Sequence, residues 1–389
     1  MLRAAAVVVV AQGLAAVAAV QPTRESFNVS AQAAADAAGA AVAGEMLMFA
    51  GGKGAASELA DVTVYSPRSG WVRHKGVLSD ARSQMASTQL PDGSVALFGG
   101  GEDAAKIKYS AVDIFTASSG VWSHANLSQP RSFLAAASVV VGSRKLSLFA
   151  GGECSEGHTG TDSARVDVWE HGKGWVVQAD LLSSPRKKLA AASAGMYIVI
   201  GGGYTSGMKN STTRGYSDVV DLFHAGTGKW STAKLSQPRQ YIVAASAGEI
   251  AAFGGGFCSP CTGQTGTDRS VVVDIFDSRT LEWQVAKLSQ RRSNLAATSV
   301  AGRYAIFGGG SSDLPNPHGV QVVGSDQGRR PEIGRSNVVD IYDAQTEKWS
   351  QVLLSGDGRC CLGAAGGNRS FAFFGGSQPD VADVFVFVK

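Results

Sequence analysis

The sequence predicts an all-β protein built from seven copies of one unit of four short strands, and three observations carry that prediction. First, a double glycine closes a short apolar run seven times: MLMFAGG (46–52), VALFGG (95–100), LSLFAGG (146–152), YIVIGG (197–202), IAAFGG (250–255), YAIFGG (304–309) and FAFFGG (371–376). The last glycines of these runs lie 48, 52, 50, 53, 54 and 67 residues apart, and a period near 50 residues marks a repeat architecture. Second, the apolar pieces between them are short, rich in Val, Ile, Phe and Ala, and bounded by Gly, Pro, Asp or Ser, which is strand and turn chemistry. Third, outside the N-terminus no segment is long and 3.6-periodic enough to be a helix.

The four strands are called a to d in chain order. Strand a carries Ala-Ala-Ala-Ser at 135–138 and 190–193, Ala-Ala-Ser at 244–246 and Ala-Ala-Thr-Ser at 296–299. Such small side chains suit a crowded innermost strand. Strand b ends in the glycine pair, where φ > 0 and close backbone approach are permitted. Strand c ends in an aromatic residue: Tyr65, Phe115, Trp169, Phe223, Phe276 or Tyr342. Strand d opens with Trp71, Trp122, Trp175, Trp230, Trp283 or Trp349, rings large enough to fill the space between sheets. The seventh unit has strands a (359–367), b (371–376) and c (ending at Phe385), but no Trp and no strand d. Residues 25–30 precede the Ala-rich first strand a (31–43) and are expected to supply the missing outer strand, tying the two ends of the chain together.

This order of glycine pair, aromatic and tryptophan resembles the kelch repeat, over nearly all of the chain after residue 22. The resemblance implies four-stranded antiparallel blades and a seven-bladed β-propeller closed by an N-terminal strand. It also implies that arginines near the channel mouth are candidates for binding acidic ligands.

Charge and leader bound the function. Net charge is only +3 and charged residues are 17% of the chain, so composition makes no case for nucleic acid. Residues 1–21 read as a secretory signal peptide: Arg3, an apolar stretch from Ala4 to Val20, and small residues before a cleavage site between 18 and 21. An uncleaved anchor is the alternative, although that stretch is at the short end for a membrane span. Residues 22–389 then form a secreted, monomeric propeller. Asn28, Asn126, Asn210 and Asn368 head N-glycosylation sequons. Among five cysteines, Cys258 and Cys261 share one loop and are expected to form a disulfide, whereas the vicinal Cys360 and Cys361 would be strained by one. A zinc site from Cys154, His158, Cys258 and Cys261 would need two distant loops to meet, and no metal or cofactor is expected.

An arginine recurs just before strand a: Arg82, Arg131, Arg186, Arg239, Arg292 and Arg359. An aspartate recurs two positions before the strand c aromatic: Asp113, Asp167, Asp221, Asp274, Asp340 and Asp383. Unit 1 lacks both and has Thr63 at the aspartate position. Joint absence suggests that the two serve each other as structural pairs. The functional reading places Arg131, Arg186, Arg239, Arg292 and Arg359, with His158, around a ligand site. Strand order puts the d–a turns and b–c loops on one face, and the b–c loops 153–164, 203–216, 257–270 and 311–336 are long enough to carry function. The longest contains Asp313, His318, Asp326, Arg329, Arg330 and Arg335. No P-loop, G-x-S-x-G, H-E-x-x-H or EF-hand motif is present. The copper-site pattern of galactose oxidase, which shares the kelch propeller, is missing. The sequence therefore points to a binding module for a glycan or extracellular protein. The rival is a carbohydrate-active enzyme, an epimerase or oxidase-like protein, working through Glu102, Glu153 and His158.

Overall fold

Each repeat folds as a four-stranded antiparallel sheet because its apolar runs are short and every connection carries turn residues. The computed structural model describes residues 22–28, 38–42, 45–54, 56–154, 161–208, 211–259, 261, 268–312, 334–376 and 381–387. Among them stand seven four-stranded sheets. Sheet 1 comprises Ala38–Val42, Met46–Ala50, Val62–Ser66 and Gly70–His74. Sheet 2 comprises Ala86–Gln89, Val95–Gly99, Ala111–Thr116 and Val121–Asn126. Sheet 3 comprises Ala135–Val141, Arg144–Ala150, Arg165–Glu170 and Gly174–Asp180. Sheet 4 comprises Ala190–Ala194, Tyr197–Gly201, Val219–His224 and Lys229–Lys234. Sheet 5 comprises Val243–Ala247, Ile250–Gly254, Val272–Asp277 and Glu282–Lys287. Sheet 6 comprises Ala296–Val300, Tyr304–Gly308, Val338–Asp343 and Lys348–Leu353.

Sheet 7 is made from both ends of the described chain. Gly363–Gly366, Ser370–Phe374 and Val381–Phe387 pair in order, and Pro22–Asn28 lies antiparallel beside Val381–Phe387, with Pro22 opposite Phe387 and Asn28 opposite Val381. The pairing segment thus begins three residues earlier than the sequence suggests, and residues 29–37 lie outside the described part. Strand a of each sheet lies against strand a of the next, and that of sheet 7 lies against that of sheet 1. The small residues of strand a permit this approach. Neighbouring copies are also stitched by serines: the Ser193 N–H donates to Ser246 Oγ (2.9 Å) and the Ser246 N–H to Ser299 Oγ (2.8 Å).

The core lies between sheets. Phe253, Phe276 and Leu235 are buried with Val199, Val220 and Leu222 of the preceding sheet. Trp283 sits directly across from Phe276, ring centroids 5.2 Å apart, and the same pair recurs as Tyr65–Trp71, Phe115–Trp122, Phe223–Trp230 and Tyr342–Trp349. Room for the next sheet is made by a glycine: a Cβ on Gly254 would stand 2.8 Å from the ring of Phe307.

The b–c connections differ from plain loops. Arg131–Ser132 pairs with Glu153–Cys154, which pairs with Thr161–Asp162; Arg239–Gln240 pairs with Phe257–Cys258; Arg292–Ser293 pairs with Ser311–Ser312, which pairs with Gly334–Arg335. In units 2 to 6 the b–c connection therefore leaves its strand as an extension hydrogen-bonded to the d–a connection of its own unit, because backbone groups this close to the interior need partners.

Candidate functional site

The recurrent arginines are the largest fully buried polar side chains among the described residues. Arg82, Arg131, Arg186, Arg239, Arg292 and Arg359 are all 0% exposed. Each forms an ion pair with an aspartate of its own sheet: Arg82–Asp113, Arg131–Asp167, Arg186–Asp221, Arg239–Asp274, Arg292–Asp340 and Arg359–Asp383. Arg239 shows the full set of bonds. Its Nη2 donates to Asp274, and its Nη1 donates to the carbonyls of Gly255 (2.9 Å) and Val272 (2.8 Å). The other oxygen of Asp274 accepts the N–H of Ser236, in the connection arriving from sheet 4 (2.9 Å). The carbonyl of Arg239 in turn accepts the N–H of Gly203, at the end of strand b in sheet 4 (2.7 Å). One residue thus ties two sheets together, and a Cβ on Gly202 would stand 2.9 Å from that carbonyl. Burial pushes the guanidinium of Arg239 below its ordinary value, and the Asp274 charge opposes the shift. Arg131, under the same burial, is pushed down to about 10.

This placement corrects the expectation of an arginine ring open to ligand. The Nε atoms of Arg82, Arg131, Arg239, Arg292 and Arg359 have no hydrogen-bond partner among the described residues, yet they lie buried with their side chains. A guanidinium out of reach of solvent, with both terminal nitrogens committed, has nothing to offer a ligand.

What the latch presents lies two residues further on. Gln84, Phe133, Lys188, Tyr241, Asn294 and Cys361 each follow an arginine by two positions, and all six adopt left-handed backbone, with φ between 49° and 62°. Their backbones bond neighbour to neighbour: the N–H of Phe133 donates to Gln84, that of Lys188 to Phe133, that of Tyr241 to Lys188 and that of Cys361 to Asn294. Side chains from sheets 3 and 5 meet over sheet 4. The rings of Phe133 and Tyr241 are 6.2 Å apart, and Lys188 Nζ lies 4.5 Å from the Tyr241 centroid, 5.5 Å from that of Phe133 and 5.8 Å from that of Tyr204. Phe257 extends the group against Tyr241 at 6.1 Å. No protein-family model matches the chain. No curated protein matches it either.

Carboxylates flank the cluster and are matched by other lysines. Lys187 Nζ lies 3.1 Å from Glu153 and 3.5 Å from Asp162. Glu102 is buried and takes Lys106 at 2.7 Å, Lys108 at 2.8 Å and the Ser132 hydroxyl at 2.9 Å. Burial alone would push the Glu102 carboxyl up, but those three donors outweigh it and hold the group below its ordinary range. Burial, followed by the charge of Lys187, holds the Lys188 ammonium below the usual lysine value.

At the opposite end of the strands a lies a cavity of about 390 Å³. Its lining includes Thr88, Ser138, Ser193, Ser246 and Ser299, reaches the a–b turns at Gly195, Gly248 and Gly302, and contains no charged side chain among the described residues. Several of these hydroxyls are spent on the stitching between sheets; Thr88 and Ser138, for example, are 2.7 Å apart.

The remaining expected site residues scatter. Cys258 and Cys261 form a disulfide. That bond removes two thiolates from the imagined zinc site, and no cluster of potential metal ligands occurs among the described residues. The sulfurs of Cys360 and Cys361 are 3.3 Å apart. Asn126 is exposed at the end of strand d in sheet 2, and Asn368 is exposed beside the cavity. The side chain of Asn28, together with Asn210, His158, residues 1–21 and most of the loop 311–336, lies outside the described residues. No helix among the described residues is long and apolar enough to cross a membrane.

Proposed function

We propose that the seven sheets are the blades of a kelch-type β-propeller, and that the protein is a secreted, monomeric binding module for a glycan or an extracellular protein. The cyclic contact of the strands a supports the propeller, and the signal-peptide pattern and sequons support secretion. The ligand sits on the face of the d–a turns and b–c connections. One observation carries this reading. The half-buried group of Phe133, Lys188, Tyr204, Tyr241 and Phe257 gathers aromatic rings and the Lys188 amine at a single spot, with Lys187 against Tyr204 and Arg269 against Phe257 at its margin, and ligand sites join apolar surface to a few convergent polar groups. The carbohydrate-active enzyme draws less support, because Glu102 is held ionised by two lysines and a serine and has no proton to give as a general acid.

A glycan array probed with the mature protein, followed by assay of the bound sugars for turnover, tests the reading. Binding without turnover is expected. Lys173→Glu, on a c–d connection, and Lys229→Glu, at the start of a strand d, both on the opposite face, should leave it unchanged, whereas replacing residues 313–333 with a short Gly-Ser turn should weaken it. Binding lost only in the opposite-face variants would overturn the assignment.

A further inference from the structure

We infer that Lys188 and its aromatic neighbours bind a carboxylate-bearing sugar, making the ligand an acidic, uronate-containing glycan. This rests on the reading of the same face as a binding surface and names the ligand chemistry.

The first argument is charge matching. Lys106 and Lys108 are committed to Glu102, and Lys187 to Glu153 and Asp162. Lys188 is different: its amine makes ring contacts, with no ion pair or hydrogen bond to a described residue. Glu153, Asp162 and Glu102 act on it only across a distance, and a cation kept half out of water without a counter-ion in contact is costly unless something else supplies the charge.

The second argument is preorganisation. Lys188 is held by its left-handed backbone (φ 57°), by its own N–H on the Phe133 carbonyl and by the Tyr241 N–H on its carbonyl. Three rings then fix the direction of a side chain that is otherwise among the most flexible. An anion arriving there pairs with a donor already in position, so less ordering is needed at the moment of binding.

The third argument concerns the shape of the partner. One amine, beside lysines already paired, suits a monoanion better than a phosphate, whose three oxygens call for several donors. The rings of Phe133, Tyr241 and Phe257 succeed one another edge to face at 6.1–6.2 Å, with interplanar angles of 87° and 72°, and set an angled apolar wall beside the amine, on one ring of which a sugar can stack. A pyranose ring bearing a carboxylate offers a flat C–H face and one negative charge side by side. An acidic peptide offers the charge without the face.

The test uses the intact mature protein and a panel of uronate oligosaccharides, their methyl esters, their neutral counterparts, sulfated neutral oligosaccharides and poly-glutamate, with binding read by calorimetry. The free acids should bind, and the methyl esters should bind about tenfold or more weakly, the loss expected for one charge-assisted contact. Lys188→Met should lose the free acids to the same degree while keeping the thermal midpoint, and Lys188→Arg should restore binding to within about threefold, since the charge is kept. Tyr241→Asn, a residue that tolerates left-handed backbone, should weaken acids and esters alike. Raising the pH should weaken binding of the acids before the ordinary lysine range is reached, because only the ammonium form pairs. Equal binding of acid and ester overturns the inference and leaves glycan binding intact. Binding of the sulfated but not the carboxylated sugars overturns the carboxylate, and binding of poly-glutamate alone overturns the sugar. If no saccharide binds at all, the inference and the glycan reading fall together.

Discussion

Two sets of residues separated by two positions in sequence behave in opposite ways. Before strand a, six sheets carry the same residue, arginine, wholly buried and bound to the equivalent aspartate of its own sheet. Two positions later the same six sheets carry Gln84, Phe133, Lys188, Tyr241, Asn294 and Cys361, in one backbone conformation but with six different side chains. The first set answers a mechanical requirement common to every junction between sheets. The second inherits a fixed backbone from the first and is free to vary in chemistry. Repetition among the copies therefore marks structure, and variation at a fixed backbone position marks the place to look for a ligand.

The widest separation of the two behaviours comes from the junction that has no latch. Unit 1 has Thr63 where the others have aspartate, and sheet 7 is instead completed by Pro22–Asn28. Deleting 22–28 should expose Val381–Phe387 as an open edge and promote aggregation, with a larger fall in thermal midpoint than any single substitution; a deletion variant as soluble as the parent would refute this. Next come the latch residues. Arg239→Ala and Asp274→Ala should each cost about 3–5 kcal/mol, since each strands a buried charge. The double variant should be no worse than either single one in a denaturant titration, and additive losses would show that the pair does not act together. Gly255→Ala ranks third: at φ 63° its Cβ would stand 2.8 Å from the Arg292 carbonyl, and the forced conformation should cost about 1–3 kcal/mol. Lys188→Met should have the smallest effect on stability, within about ±0.5 kcal/mol at neutral pH. Its sign depends on pH. The folded protein holds the Lys188 ammonium below its ordinary value, so between the folded and unfolded values the unfolded chain binds more protons, and the parent gains stability as pH rises. The variant should lose ground to the parent at alkaline pH, and a difference constant with pH would contradict the assignment.

The framework is readable because its signals repeat. The glycine pair, the strand c aromatic and the tryptophan occur in nearly every copy, and their positions match strands b, c and d of the sheets. The Arg–Asp pairing is readable for a subtler reason, the joint absence of both residues from unit 1. The proposed binding surface is not. Arginine looks like an anion ligand in sequence, and only the 0% exposure of Arg131, Arg186, Arg239, Arg292 and Arg359 assigns it to the interior. Lys188, Tyr241 and Phe133 raise no signal of their own because they share no residue type; aligning the copies on the arginine and inspecting the second residue after it would single them out. The extensions of the b–c connections are hidden too, since two-residue pairings such as Arg239–Gln240 with Phe257–Cys258 are too short to leave a periodic pattern.

The pairing of Pro22–Asn28 with Val381–Phe387 also sets a clock. Val381 lies 353 positions after Asn28. At about 5–20 residues per second of synthesis, Pro22–Asn28 waits roughly 18–70 s for its partner. Sheets 1 to 6 each draw on contiguous chain synthesised before that moment. Among the described strands Pro22–Asn28 thus waits longest for its partner, and until it pairs a seven-residue edge stands open to any other extended chain nearby.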